Sequence, residues 1–343
     1  MDTRLQILAP VRDDSFDGKA YSGDRIRGLT SDDVIERLEQ RLGRLHARLR
    51  LGIEDDRERR ANGPGIRFSH PKNWYFSPTI IRGALKLVGL YGRARRNAED
   101  VQIRRHDIVM PALPEAFDGL TILQISDLHV DMNQGAMRRL SQLLPGLNYD
   151  LCVLTGDYRG KTFGPCEAAI EGMARMCADI AGPVYAVLGN HDTIRMVPAL
   201  EEMGVHVLLN ETEAIVRGTQ RVHLAGIDDA HFYRVDNIEK TALQIPEGEF
   251  SILLSHTPEI YRQAAHADFD LMLSGHTHGG QICLPGAIPI TLDATLPRRM
   301  GSGPWRHHGM VGYTSVGVGS CIVPVRINCP PEITLHRLLR PRG

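Results

Sequence analysis

The chain has 343 residues, 42% of them hydrophobic and 24% charged, and a formal net charge of −1. That is apolar material for one large catalytic unit plus an appendage, with no whole-molecule electrostatic case for nucleic acid or an anionic surface. No run approaches the roughly 18 uninterrupted apolar residues that a membrane span needs, and the Asp- and Arg-rich first thirty residues lack the apolar segment of a secretory signal, so a cytoplasmic protein is expected.

Residues 1–29 mix Gly, Asp, Ser and Pro with isolated apolar residues and read as irregular. A helix is signalled from Thr30 and Ser31, with Ile35, Leu38, Leu42, Leu45 and Leu49 on one stripe. The charged run and Asn-Gly-Pro-Gly over 55–65 read as a loop. A second helix is expected to start after Ser77 and Pro78 and to run to Arg96, with Ile80, Ile81, Ala84, Leu85, Leu87, Val88 and Tyr91 opposite Arg82, Lys86 and Arg93. Such a basic amphipathic segment is either a face packed on its own protein or, over 79–96, a peripheral membrane contact or a lid near an amphiphilic substrate. Residues 1–106 hold 22 of the 40 basic and 15 of the 41 acidic side chains, so the front is basic and the back acidic. The expected organisation is an N-terminal helical extension over 1–106 and a catalytic domain over 107–343.

Beyond residue 119, short apolar strands are expected at 120–126, 151–155, 184–188, 222–225, 251–254, 271–273, 311–316 and 333–338, with helices at 136–144 and 167–181. Strand-helix alternation giving way to strands implies an α/β fold of two packed sheets with helices outside. Six cysteines, Cys152, Cys166, Cys177, Cys283, Cys321 and Cys329, show no C-x-x-C spacing, so neither a disulfide framework nor a thiolate zinc site is indicated.

Ligand-type side chains recur directly after these strands: Asp127 and His129, then Asp157, then Asn190 with His191 and Asp192, then His256, then His276 and His278. Period-two spacing would send Asp127 and His129 to the same side. A Gly-Asp pair after a strand is by itself only a turn, and a lone histidine is ordinarily a satisfied core residue. Turns, however, have no use for so many donors at five successive strand ends. Carboxylate, imidazole and amide oxygen without thiolate suit Mn²⁺, with Fe or Zn²⁺ as alternatives, and a carboxylate shared by two ions lowers the pKa of a common water.

The blocks Asp127-Leu128-His129, Gly156-Asp157, Gly189-Asn190-His191-Asp192, His256 and Gly275-His276-Thr277-His278 resemble the five signature blocks of calcineurin-like metallophosphoesterases over residues 119–339. Ser274 to Ile282 and the tail from Val323 to Thr334 resemble a bacterial branch that includes enzymes cleaving the pyrophosphate of UDP-2,3-diacylglucosamine. The resemblance implies a four-layer α-β-β-α sandwich of two mixed sheets. It also implies two divalent metal ions, the first held by Asp127, His129 and His278 and the second by Asn190, His256 and His276, with Asp157 bridging. In that family pattern His191 stabilises developing charge or protonates the leaving oxygen, and Asp192 either orients it or is a surface salt partner. Metal-bound hydroxide would cleave a phosphodiester or pyrophosphate in a phosphorylated small molecule or lipid-linked substrate, with no nucleic acid. The alternatives are a soluble phosphodiesterase acting on a cyclic nucleotide and a non-catalytic scaffold of the same fold.

One departure stands out. Where many relatives read Gly-Asp-x-x-Asp, this chain has Gly156-Asp157-Tyr158-Arg159-Gly160, and an aspartate that orients the histidine in some relatives is missing. Arg159 is expected either to clamp a substrate phosphate or to be a solvated loop residue. Asn133 is a second substrate candidate, with Arg138, Lys161, His231, Arg234 and Arg326 as further rim residues, whereas His206, His223 and His307 read as structural.

Overall fold

Alternation of side chains along each strand sorts the apolar residues into layers. The computed structural model describes residues 6–8, 31–62 and 78–342; the irregular reading of 1–29 is corrected at Gln6–Leu8, which form a strand, and the rest of it, the Thr30 and Ser77 starts and residues 63–65 of the expected loop lie outside them. In chain order the strands are β1 Gln6–Leu8, β2 Gln102–Val109, β3 Thr121–Ile125, β4 Leu151–Leu154, β5 Val184–Ala186, β6 Val205–Val207, β7 Glu211–Arg217, β8 Gln220–Gly226, β9 Ser251–Leu254, β10 Leu271–Ser274, β11 Cys283–Leu284, β12 Ile288–Pro289, β13 Gly303–His307, β14 Met310–Thr314 and β15 Glu332–Leu339. One sheet runs β2-β15-β3-β4-β5-β6, the other β1-β7-β8-β9-β10-β14-β13, and β11-β12 form a separate ribbon. Each large sheet has a parallel centre, β3-β4-β5-β6 in one and β8-β9-β10-β14 in the other.

All eight expected strands are present, and the architecture is the expected α/β pair of mixed sheets with helices outside. Ile122, Val153 and Tyr185 face Leu224, Ile252, Leu273 and Tyr313 in a cluster between the sheets. Their neighbours Leu123, Cys152 and Ala186 face outward to helical residues such as Leu140, Met173 and Leu200. Beyond the other sheet, Leu253 and Met272 meet Tyr261, Phe269 and Trp305. Burial of that many apolar side chains, at ~25 cal/mol per Å², is the main stabilising contribution.

Three helical expectations are corrected. The first helix is two, α1 Ser31–Leu42 and α2 Arg44–Asn62, broken at Gly43, whose φ of +81° is left-handed. The break shifts the helical phase, so Leu45 (82% exposed) and Leu49 leave the stripe, and Ala47, Arg50, Leu51 and Glu54 turn inward instead. Helix α2 continues through most of the expected loop because its Arg and Glu residues are good helix formers and the Asn-Gly-Pro-Gly break comes only afterwards. The second helix is likewise two, α3 Pro78–Leu87 and α4 Tyr91–Asn97, parted at Gly89 with φ +70°. Of its stripe only Leu85 is buried, against Val323 and Val325, while Ile80, Leu87 and Val88 are exposed. Among the described residues no helix is long and apolar enough to cross a membrane.

The expected boundary between 106 and 107 falls inside β2, which pairs along its full length with β15. Helices α1 and α2 place Leu38, Ala47 and Leu51 in the same cluster as the outer face of the first sheet. Arg50 is fully buried, with Nε 3.3 Å from Asp228 Oδ1, Nη1 3.2 Å from Glu54 Oε1 and its guanidinium 3.4 Å from the Tyr233 ring centre. Deleting one member of a buried charge network leaves the others uncompensated. Arg50→Met should therefore cost about 3 kcal/mol in urea unfolding of the metal-free protein; a cost under about 1 kcal/mol would show the cluster to be solvated.

Candidate metal centre

The sequence blocks converge at the carboxyl ends of the parallel strands, where open α/β sheets bind ligands. Asp127 and His129 follow β3, Asp157 follows β4, Asn190 and His191 follow β5, His256 follows β9, and His276 and His278 follow β10. The means of convergence is not the pleat that period-two spacing implied. Asp127, His129, Asp157, His276 and His278 all have positive φ, between 40° and 72°, a region that costs non-glycine residues energy and that functional sites retain. Left-handed turns at the strand ends aim these side chains at one point. Close approach also requires glycine: a Cβ on Gly189 would lie 2.2 Å from Asp157 Oδ1, and one on Gly275 1.8 Å from Ser126 Oγ.

Among the described residues the blocks form two groups of metal-ligand type, Asp127 with His129 and His278, and Asp157 with His256 and His276, and a third, His231 with Glu259, shares His276; the ligand atoms of each lie within 4.8 Å of one another. All six residues of the first two groups are buried. Asn190 joins the second group, its Oδ1 lying 2.9 Å from His256 Nε2. Asp157 stands between these two groups: Oδ2 is 3.3 Å from His256 Nε2 and 3.8 Å from His129 Nε2, and Oδ1 accepts the backbone N–H of His191 at 2.8 Å.

The outer ring nitrogens are anchored. His129 Nδ1 meets Arg159 O, His256 Nδ1 meets Thr155 O and His276 Nε2 meets Asp293 O, each at 2.8 Å. Those contacts turn the opposite nitrogens inward as lone-pair donors. His129 Nε2 and His278 Nε2 face each other at 3.2 Å.

The electrostatics match a cation site. Burial pushes Asp127 up to about 6, with the charge of Asp157 adding to it. Burial holds His129 down at about 4 and His276 and His278 well below the usual imidazole range, the neutral form in which histidine binds metal. His256 is the exception: against its own burial, the Asp157 carboxylate lifts it to about 10. Against its desolvation, Asp157 is in turn held well below the carboxylate range by His256 and His191. Two carboxylates and four imidazoles so poorly solvated are the donor set that divalent cations stabilise, and the residues present fit them.

The comparisons agree. Residues 120–280 match the family model described as calcineurin-like phosphoesterase. The metallophosphoesterase YkoQ of Bacillus subtilis is 31% identical over 273 residues, 77% of this chain and 100% of that protein. The chain belongs to the calcineurin-like phosphoesterase family. The phosphodiesterase YaeI of Escherichia coli is 28% identical over 55% of this chain and 70% of its own. Among solved structures, the E. coli phosphoesterase Yfce aligns over 58% of this chain and 80% of that one, at 15% identity and a TM-score of 0.27. Its family and its ligand groups make the protein a metal-dependent phosphoesterase, a hydrolase.

Several expected roles in this metallophosphoesterase are corrected. Asp192 neither orients the His191 ring nor meets solvent; it is fully buried, and its carboxylate accepts the N–H groups of Asp157, Tyr158 and Gly189 at 2.7–2.8 Å, tying two ligand loops together. Arg159 is not available to a phosphate. It is buried and donates to the carbonyls of His191, Thr162 and Gly164. Asn133 caps the helix Gln134–Leu143, accepting from Gly135 and Ala136 and donating to Ala98 O, so its amide is not free for substrate. Arg326 is no rim residue either; it is fully buried and donates to Val316 O, Gly317 O and Gly319 O. His231 lies behind His276, ring centres 4.2 Å apart, paired with Glu259. Arg138 and Lys161 are exposed, and Arg234 lines a separate polar cavity with His231 and Glu259.

The His191 imidazole stands at the mouth of the site with Nε2 4.0 Å from Asp157 Oδ2 and 3.9 Å from Cys321 Sγ. Thr162 and Cys321, both beside it, carried no signal in the sequence. The same holds for Ile290 and Ile322 in the wall of the adjoining cavity of about 310 Å³, whereas Ile81 of that wall lies on the stripe read as a lid. The cavity floor is Asp157, Asn190, His191, His276 and His278, and Ile81, Ile282, Ile290, Ile322 and Val323 form an apolar wall.

Proposed function

We propose that this enzyme hydrolyses a phosphodiester or pyrophosphate bond at a dinuclear centre, with the first ion on Asp127, His129 and His278, the second on Asn190, His256 and His276, and Asp157 between them. The observation that carries the reading is the position of Asp157, whose one carboxylate oxygen lies within 4 Å of histidines from both groups. Divalent cations bound there would supply Lewis acidity toward phosphoryl oxygens and acidify water enough to deliver a nucleophile near neutral pH. The protein's own part is orientation and proton handling. His191 is aimed into the cavity from its mouth, placed to neutralise or protonate the leaving oxygen, while its N–H bond to Asp157 fixes the loop that carries it.

The substrate is read as an amphiphile, a lipid- or nucleotide-linked phosphate, because the cavity beside the ligands is walled by five aliphatic side chains, and the segments that supply Ile81, Ile282 and Ile290 to it also carry exposed Ile80, Leu87, Leu284 and Ile288. Helix α3 supplies Ile81 to that wall, which supports the reading of 79–96 as a lid or peripheral contact.

Purified protein given Mn²⁺, Fe²⁺ or Zn²⁺ should hydrolyse diesters or pyrophosphates in preference to monoesters and lose activity to chelators. No metal-dependent turnover on any of the three classes would refute the reading. For the apolar wall, Ile290→Asp should raise KM about tenfold for an acyl-bearing pyrophosphate, the contribution of an exposed isoleucine that an acyl chain covers, and leave an aryl diester little changed. Equal effects on both substrates would detach the wall from substrate choice.

A further inference from the structure

The missing aspartate at position 160 leaves open what orients His191. At Gly160 a Cβ would fall 2.2 Å from Met132 Cγ, and the Gly160 N–H is engaged by Asp131 Oδ1 at 2.7 Å. No carboxylate is accommodated there without displacing Met132. Two residues on, Thr162 Oγ1 lies 3.3 Å from His191 Nδ1. Its backbone is gripped by the buried Arg159, which donates to Thr162 O, to Gly164 O at 2.9 Å and, on the other side, to His191 O at 2.6 Å. One guanidinium thereby joins the loop that carries the threonine to the loop that carries the histidine. A planar fork of donors is suited to hold two chain segments in fixed register.

We propose that Thr162, held by Arg159, is the positioning residue for His191 and takes the place of the absent carboxylate. Resting on the phosphoesterase reading above, it assigns the ring's direction. Nδ1–H donates to the threonine hydroxyl, and Nε2 is left facing the ligand cluster and the leaving group. As the P–O bond to the leaving group breaks and the new P–O bond to the nucleophilic oxygen forms, the imidazolium form of His191 gives its Nε2 proton to the leaving oxygen and is left as the neutral Nδ1–H tautomer, still donating to Thr162 Oγ1. A neutral hydroxyl does this without adding an anion to a cavity already lined by Asp157 and Asp293, where a further desolvated carboxylate would be costly. The arrangement also gives Arg159 the function that a solvated loop residue would lack.

Thr162 is partly exposed, so Thr162→Val and Thr162→Ser should both fold. With aryl phosphodiesters whose leaving phenols differ in acidity, Thr162→Val should lose about tenfold in kcat on a weakly acidic phenol and about twofold on p-nitrophenol, KM being unchanged, since only a poor leaving group needs the proton. Thr162→Ser should restore the weakly acidic phenol to within about twofold of the parent. In metal-free protein labelled with ¹⁵N-histidine, the His191 ring, assigned with His191→Gln, should show the Nδ1–H tautomer and pass to a tautomer mixture in Thr162→Val. Equal losses on both phenols, or an unaltered ring spectrum, would overturn the positioning role while leaving the phosphoesterase intact. Absence of metal-dependent turnover in the parent protein would overturn both.

Discussion

Asp157→Asn should lower kcat/KM on a diester by about a thousandfold, the several kcal/mol that a metal centre contributes, and remove at least one equivalent of bound metal. The reasons are local. Asparagine keeps an oxygen to accept the His191 N–H now bound at 2.8 Å, so the loops should stay in place and the fold should persist. What it lacks is the negative charge that sits 3.3 Å from His256 and 3.8 Å from His129, one histidine from each ligand group. Metal content by elemental analysis beside steady-state kinetics reads both halves of the effect. A variant that kept two ions and its rate would remove Asp157 from the bridging position.

His191→Gln should divide the same two measurements. With its backbone N–H retained and no ligand lost, metal content should be unchanged while kcat falls by about 10²–10⁴, the range for a positioned proton donor. The imidazole is partly exposed at the cavity mouth and contacts no core apolar cluster, so stability should move little. A fall in metal content that tracks the fall in rate would make His191 a structural support of Asp157 instead.

The two variants also bear on how the ligand loops act together. Asp192 ties the β4 and β5 loops through three N–H groups, and α2 braces the next residues from outside: Glu54 Oε1 accepts the Ile194 N–H at 2.8 Å, and Arg50 donates to Asp192 O at 3.2 Å. Residues joined in one buried network are not additive. The N-terminal helices are therefore part of what holds Asn190 and His191, and Arg50→Met should weaken metal retention as well as stability.

The amino-acid sequence by itself determined the eight core strands, the seven ligand-type residues and the family, because these follow from local pattern. Apolar runs, the glycines that sharp strand ends demand, and Asp, His and Asn at those ends are all written within a few residues of one another. It did not determine which way a helix faces after a left-handed glycine: Gly43 and Gly89 each split an apparently continuous stripe, and a phase change of that kind is set by packing. Short edge strands such as β6 and β13 escaped for a related reason, since their pairing partners supply what their own composition does not. Polar side chains were the hardest. Arg159, Arg326, Asn133 and Asp192 each look available for substrate or solvent in a linear reading, and each is occupied by backbone groups brought from elsewhere in the chain. Only the tertiary structure decides that, because a hydrogen-bonding group is spent or free according to which distant carbonyls and N–H groups the fold delivers to it.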